Sequence, residues 1–303
     1  MKYSNKLKNK YRVPFILFCL IPPLISFLIW YVYVNGSAFF MAFLDKDGQF
    51  TLGNFVRFFG EFTKEQSDIK TAFRNTFITF GIVLASYPFK VLVSYFIYKK
   101  VPFYNLYRVL FFLPGLIFGV CTALVFQRAI GPGGPIANLV QDILHLDKSP
   151  ELLADSRYAN TVVLAHMVWL AFPGDLIIWG GNFAKIPEEV LESGRLDGTT
   201  WFKEFTHIIL PMVWPTITLQ LVVTFASIFS ASGSVFLLTG GQYETMTLSA
   251  WMYITLQQYS GAGYKSNVYN YMSAVGLMVT IVAVTISLTV RWISEKYFND
   301  VEY

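Results

Sequence analysis

The sequence predicts an all-α membrane protein with six transmembrane helices and both termini in the cytoplasm. Of its 303 residues, 54% are hydrophobic and only 14% are charged, whereas a typical soluble domain has about 25% charged residues. Several apolar segments reach the length of about 20 residues that a helix needs to cross a bilayer. This composition argues against a soluble domain, and we expect the lipid bilayer to surround most of the chain.

The predicted spans follow the apolar segments in chain order. Residues 1–13 form a basic cytoplasmic tail, with five Lys or Arg and no acid before the first apolar run. That run is too long for a signal peptide and no small-residue cleavage site follows it, so we expect it to be retained. The spans make up a transmembrane domain at residues 14–292, and residues 293–303 form a second cytoplasmic tail. The six spans are expected at residues 14–34, 71–98, 106–130, 161–181, 212–238 and 269–292.

The connections between the spans agree with this topology. Polar, glycine-containing segments at residues 35–70, 131–160 and 239–268 are expected outside. Lys99 and Lys100 close the second span on the inside. Counted in this way, 13 Lys and Arg residues lie inside and nine lie outside, and an excess of basic residues marks the cytoplasmic side.

The longest mixed-charge stretch lies between the fourth and fifth spans, at residues 182–211. Pro187 suits the first turn of a helix, and the acids that follow it suit the positive end of that helix. Asp197-Gly198 is a turn signal, and Thr199 or Thr200 can cap a second helix. The stretch predicts a cytoplasmic helix–turn–helix between spans four and five.

The same stretch carries a recognisable spacing of residues. Glu192-Ser193-Gly194 is followed after three residues by Gly198, and after nine more by Ile208-Ile209-Leu210-Pro211. This resembles the E-A-A loop, EAA-x3-G-x9-I-x-L-P, of permease subunits of binding-protein-dependent ABC importers. The flanks at residues 186–189 and 196–198 resemble the carbohydrate-uptake, maltose-transporter-like branch. Two small residues replace the two alanines of the signature, so we expect the loop to keep its docking function.

The resemblance implies a transport subunit that is not an enzyme. It implies a second permease subunit or a second copy of this one, and we expect the pair to be a heterodimer. It also implies two ATPase subunits and an extracytoplasmic solute-binding protein that delivers an oligosaccharide or related glycan. The chain has no GxxxxGK[ST] phosphate loop, so ATP and Mg²⁺ are expected on the ATPase subunits, and we expect no cofactor, metal or nucleic acid on this chain. The implied location is a bacterial-type cytoplasmic membrane. The residues implied to couple the chain to the ATPases are Glu192, Ser193, Gly194, Asp197, Gly198, Leu210 and Pro211.

Polar residues within the predicted spans indicate a path for the substrate, because such residues are costly in a bilayer. Asp175 can accept hydrogen bonds from sugar hydroxyls, or it can pair with a structural partner such as a basic group. Trp169 can stack on a sugar ring or lie at a membrane interface, and the serines can instead serve close helix packing. Lys90 is expected to extend to the cytoplasmic surface, or else to meet an anionic sugar. The candidates for the path are Asp175, Trp169, Phe229, Ser230, Ser232, Asn270, Tyr271 and Ser273.

Other functions remain as alternatives. An importer for glycerol phosphate or a polyol would carry the same loop. A self-sufficient channel or secondary transporter would need intramembrane ion pairs or inverted repeats, and it would not need the loop. An intramembrane hydrolase is disfavoured because His166 and Asp175 lie nine positions apart, about 180° around a helix, and cannot pair directly.

Overall fold

A computed structural model describes residues 2–64, 67–145, 147–260 and 265–297. Within these ranges the secondary structure is helical, apart from an isolated antiparallel bridge between Leu44 and Phe50. The chain divides into two compact units, Met1–Thr63 with Thr255–Thr280, and Lys64–Ile254 with Ile281–Tyr303. The all-α class predicted from the composition is confirmed.

The helices are numbered in chain order. They are α1 (Lys2–Phe27), α2 (Val34–Ala42), α3 (Gly53–Phe62), α4 (Asp68–Tyr98), α5 (Tyr104–Leu116), α6 (Gly119–Ile130), α7 (Pro135–Leu144), α8 (Ala159–Phe183), α9 (Glu188–Leu196), α10 (Trp201–Lys203), α11 (Leu210–Met212), α12 (Trp214–Ala226), α13 (Gly233–Leu238), α14 (Leu248–Ser260) and α15 (Lys265–Tyr297). Two π-helical turns, Leu28–Tyr33 and Glu204–Ile209, join α1 to α2 and α10 to α11.

Four stretches of helix are long and apolar enough to cross a membrane: Pro14–Ala42, Asp68–Tyr98, Ala159–Phe183 and Asn267–Lys296. Two bent pairs qualify only when each pair counts as one span. They are Tyr104–Leu116 with Gly119–Leu144, bent by 111°, and Trp201–Met212 with Trp214–Ala226, bent by 71°. The described residues therefore hold between four and six candidate spans, and the six-helix topology remains a prediction.

The segment predicted as the third span is interrupted between α5 and α6. Pro114 lies inside α5, and Ile117 takes an extended conformation after the helix ends. Next to this break, a Cβ on Gly115 would lie only 2.5 Å from the Cβ of Pro173 in α8. The glycine therefore allows α5 and α8 to approach each other closely.

The segment predicted as the fifth span is interrupted between α12 and α13. Residues 227–232 leave the helix, in a sequence that contains three serines, and serine hydroxyls compete with helical backbone bonds. The carbonyl oxygen of Ala231 accepts hydrogen bonds from the hydroxyls of Thr247 (2.6 Å) and Ser249 (3.1 Å). A helix break inside an apolar segment is tolerated when neighbouring side chains satisfy the freed backbone groups in this way.

The core of the second unit joins α4 and α8 to the loop that follows α8. Tyr95 of α4 packs against Phe183 of α8 and against Phe205 of the loop, with ring centroids 6.5 and 5.0 Å apart. Trp179 and Phe183 are fully buried in this cluster, and Leu191 of α9 is 4% exposed. Because interiors are close-packed and transmit displacement, this core fixes the loop to the two long helices.

Candidate functional site

The loop between α8 and α12 presents one buried and one exposed side of α9. Glu188 and Glu189 lie in the first turn of α9, where carboxylates stabilise the positive end of the helix. Leu191 and Gly194 are buried, one helical turn apart, whereas Glu192 and Ser193 are exposed. Of the residues predicted to couple the chain to an ATPase, Glu192 is therefore exposed on α9, where a partner can reach it.

A tight glycine turn follows α9. Gly198 has a φ of +72°, in the left-handed region that glycine adopts without steric cost, and Asp197 precedes it as an exposed C-cap residue. The carbonyl of Gly194 accepts hydrogen bonds from both the amide and the hydroxyl of Thr199. A Cβ on Gly194 would lie 2.8 Å from Cδ1 of Ile208, so the second arm of the loop folds back closely on α9.

The second arm begins at Thr200, whose hydroxyl accepts a hydrogen bond from the amide of Lys203. It continues through the π-helical turn into α11, where Leu210 and Pro211 are half-buried. The described residues therefore form a helix, a glycine turn and a second helical arm. Their cytoplasmic placement remains a prediction.

A buried ion pair anchors this second arm to the end of α4. Glu204 is 5% exposed, and its Oε1 lies 2.5 Å from Nζ of Lys99. The hydroxyl of Tyr95 also donates to Oε1 of Glu204 at 3.4 Å. Sequence reasoning missed this anchor, because Glu204 stands among other charges in a polar loop and nothing local marks it as buried.

Apolar side chains are exposed on both sides of the glycine turn. Leu196 is 89% exposed, Trp201 is 54% exposed and Phe202 is 58% exposed. Such side chains, together with an exposed carboxylate at Glu192, are typical of a protein-binding surface rather than of a solvated loop.

Asp175, the most prominent candidate for the substrate path, lies in an ion pair inside the second unit. Its Oδ2 is 2.8 Å from Nζ of Lys90 in α4, and the two side chains are 18% and 3% exposed. The ammonium of Lys90 also lies 5.8 Å from the ring centroid of Phe172. Lys90 was expected to extend to the cytoplasmic surface, and this expectation is not met. Helices α4 and α8 pack together, and the ammonium of Lys90 pairs with the carboxylate of Asp175 instead. The geometry corresponds to the structural alternative for Asp175, a basic partner.

The candidates of the fifth span lie at its break. Phe229 is half-buried between Phe73 and Phe77, with ring centroids 6.2 and 6.1 Å away. Ser230 is exposed and Ser232 is half-buried just before α13. An unwound segment with hydroxyl side chains inside an apolar region is the kind of element that lines substrate sites in transporters.

Trp169 lies in an aromatic group in the second unit. Its ring stacks on Phe126, with centroids 6.0 Å apart. His166, on the same helix, is fully buried, and its Nδ1 lies 2.9 Å from the hydroxyl of Ser234 in α13. The histidine thus holds α13 against α8, a role that its sequence position did not suggest.

The candidates of the sixth span lie in the first unit and are engaged by the segment after α2. Nδ2 of Asn270 donates to the carbonyl of Asp45 at 2.9 Å. The hydroxyl of Tyr271 donates to Oε2 of Glu61 at 2.7 Å, and the guanidinium of Arg57 lies 4.1 Å from its ring centroid. Ser273 is half-buried on the same helix. Asn270 and Tyr271 therefore organise this unit in the state that the structure describes.

No known protein-family model matches the chain, but individual relatives do. It is 23% identical over 220 residues to the multiple sugar-binding transport system permease protein MsmF of Streptococcus mutans, covering 73% of each chain. It is 26% identical over 279 residues to the arabinooligosaccharides transport system permease protein AraP of Bacillus subtilis, covering 88% of this chain and 84% of AraP. It is also 30% identical over 138 residues to the maltose/maltodextrin permease MalF of Vibrio parahaemolyticus, but spans only 26% of that longer protein.

Solved structures share the fold over nearly the whole chain. The crystal structure of a bacterial ABC transporter involved in the import of the acidic polysaccharide alginate contains a chain with a TM-score of 0.79 and 24% identity, covering 96% of this chain and 99% of that one. A bacterial alginate ABC transporter in complex with an alginate pentasaccharide-bound periplasmic protein contains a chain with a TM-score of 0.79 and 23% identity, covering 97% of this chain and 99% of that one. The named relatives confirm the resemblance read from the loop: the chain is similar to permease subunits of carbohydrate-uptake ABC importers, and the solved structures share its fold.

Proposed function

We propose that the chain is the membrane-spanning permease subunit of an ATP-driven importer that translocates an oligosaccharide or a related glycan. The observation that carries the proposal is the loop of residues 186–211, which is anchored in the helix core but exposes its turn. Relatives that are named as sugar permeases, and the shared fold with the alginate transporter, support it.

The exposed turn is the docking element for an ATPase subunit. Glu192 meets a basic surface of that subunit, while Leu196 and Trp201 supply apolar contact beside it. Asp197 and Gly198 shape the turn, and the remaining signature positions hold its two arms together.

Buried contacts pass the movement of the turn to the membrane helices. The ion pair between Lys99 and Glu204 joins the second arm of the loop to α4, and Leu191 joins the first arm to the core formed with α8. Because this core is close-packed, closure of the ATPases displaces α4 and α8 together and changes access to the substrate path.

The proposed complex contains further chains. This chain supplies one coupling loop, and two ATPase subunits need two, so a second permease subunit or a second copy of this chain supplies the other. We propose a heterodimer. The ATPases bind ATP and Mg²⁺, and an extracytoplasmic solute-binding protein delivers the glycan. The alginate transporter in complex with an alginate pentasaccharide-bound periplasmic protein supports this part of the proposal. The setting is a bacterial-type cytoplasmic membrane.

The substrate path runs along the helix break at residues 227–232. Ser230 and Ser232 offer hydroxyls to the sugar, and Phe229 and Trp169 offer aromatic faces. Asp175 borders the path as a partner of Lys90. Asn270, Tyr271 and Ser273 are the candidates within the first unit, and substrate contact there requires Asn270 and Tyr271 to leave their present partners.

A secondary transporter is the second candidate, since one observation favours it. Lys90 and Asp175 form an ion pair between α4 and α8, two helices that we predict to cross the membrane, and proton- or ion-coupled carriers use charges in such positions. A single pair serves helix packing equally well, and the exposed loop would have no role in a self-sufficient carrier. We therefore rank the ATP-driven importer first.

The test is purification of the tagged chain from its native membrane, followed by ATPase assays with candidate glycans. The importer predicts a copurifying ATPase that is stimulated by a binding protein loaded with one glycan. Stimulation by glycerol phosphate or a polyol instead would keep the class and change the substrate. Purification of the chain without any ATPase, with transport that follows an ion gradient, would overturn the proposal in favour of the secondary transporter.

A further inference from the structure

A cavity of about 350 Å³ opens in the second unit, where the C-terminal ends of α4 and α8 meet α5. It lies at the end of the apolar helices, at the level of Lys100 and Tyr104, and not at the helix break assigned to the substrate. Neither the coupling loop nor the substrate path accounts for it.

The mouth of the cavity is positively charged. Lys100 and Arg108 line it, and no acidic residue is among its lining residues. Within the described part of the chain, neither side chain takes part in an ion pair. Helix α5 begins at Tyr104, without a side-chain cap, so its positive end adds to the attraction for an anion. Tyr98 and Tyr104 line the cavity as well.

Most of the remaining lining is apolar. Leu176, Ile177 and Phe112 line the cavity farther from the helix ends, and Ile177 is 62% exposed. The guanidinium of Arg108 lies 5.8 Å from the ring centroid of Phe112, so charge and apolar surface adjoin. Gly180 and Gly181 leave the space open, because a Cβ on either would meet nothing within 4 Å.

We infer that this cavity binds the headgroup of an anionic phospholipid from the leaflet that we predict to be cytoplasmic. The guanidinium of Arg108 and the ammonium of Lys100 bind the phosphodiester oxygens, as such groups do in phosphate sites. The apolar part of the cavity receives the glycerol and the first methylenes of the acyl chains. Basic pockets between membrane helices on this side are suited to such headgroups. A soluble phosphate would use the same two cations but would gain nothing from the apolar lining.

The first arm of the test removes the charges. The full chain, with the subunits that accompany it, is exchanged into nanodiscs of phosphatidylglycerol and phosphatidylcholine, and the lipid retained after detergent extraction is measured by native mass spectrometry. We expect wild type to retain phosphatidylglycerol selectively, and Lys100→Gln with Arg108→Gln to reduce that retention at least about fivefold. Lys185→Gln with Lys203→Gln, which removes two exposed charges of the loop, is the matched control and should change it by less than about twofold. Equal losses in both double variants, or none in either, would overturn the inference.

The second part of the test fills the cavity with a larger side chain and leaves the charges unchanged. Gly181→Leu should displace the lipid, whereas Gly81→Leu, at a helical glycine that also has open space around it but does not line the cavity, should not. Retention unchanged in the first variant would contradict the proposed site. Competition by glycerol 3-phosphate or inorganic phosphate at millimolar concentration separates the two sources of the anion. If a soluble phosphate displaces the lipid completely and binds the wild-type protein equally well in phosphatidylcholine, the cavity is a soluble-anion site and the lipid assignment is refuted.

Discussion

The buried ion pair between Lys90 and Asp175 can be tested by a double-mutant cycle. Lys90 is 3% exposed, so Asp175→Asn leaves a buried ammonium without its acid. Removal of one partner of a buried pair costs about 3–5 kcal/mol. At about 2–4 °C per kcal/mol for a domain of 150–250 residues, the midpoint of thermal unfolding should fall by about 6–20 °C.

Replacement of both charges should be much less harmful. Lys90→Met with Asp175→Leu keeps apolar volume between α4 and α8, and such replacements of buried pairs are often neutral or stabilising. Glu295→Gln is the control, because its pair with Arg291 is 54% and 60% exposed and exposed pairs contribute only about 0–1 kcal/mol. The assay is the thermal midpoint of the purified complex in detergent, together with its glycan-stimulated ATPase activity.

The two readouts separate a structural role from a role in the substrate path. A structural pair predicts that the double variant recovers both the midpoint and the stimulation by glycan. A midpoint unchanged in Asp175→Asn would refute the structural reasoning. Recovery of the midpoint without recovery of stimulation would instead place Asp175 in contact with the substrate.

Three further predictions concern the loop. Glu192→Lys should leave the complex assembled but uncouple ATP hydrolysis from uptake. Glu189 is also exposed on α9, and the control variant Glu189→Lys should couple normally. Normal uptake by the Glu192→Lys variant would show that Glu192 has no role in docking. Gly198→Val should destabilise the turn by at least about 1–2 kcal/mol, because the φ of Gly198 is +72°, and should therefore reduce the amount of ATPase that copurifies. Gly198→Asn should retain most of that ATPase. Equal amounts of copurified ATPase from the two variants would contradict the turn geometry. Lys99→Ala leaves Glu204 buried and unpaired, so the thermal midpoint should fall and uptake should weaken; unchanged values for both would show that the anchor transmits nothing.

Much of the fold was predictable because its signals are local. Apolar segments of about 20 residues have one stable environment, the bilayer, and there they form helices because every backbone group must be satisfied. The loop was equally readable, since Pro187 and Gly198 constrain the backbone through their own chemistry and need no distant partner. These features depend on residues that are close in the chain.

Sequence reasoning treated Lys90 and Glu204 as isolated charges. In the structure each is buried in an ion pair with a residue from another part of the chain, Lys90 with Asp175 of α8 and Glu204 with Lys99 at the end of α4. The predicted fifth span was read as continuous, because its composition is apolar and nothing in residues 227–232 reveals Thr247 and Ser249 beside the carbonyl of Ala231. The sequence by itself determined that the chain is helical, has segments apolar enough to cross a membrane, and carries a helix–turn–helix loop between α8 and α12. Only the tertiary structure decided which charges are paired and where the helices break, because both depend on groups that packing brings together from distant parts of the chain.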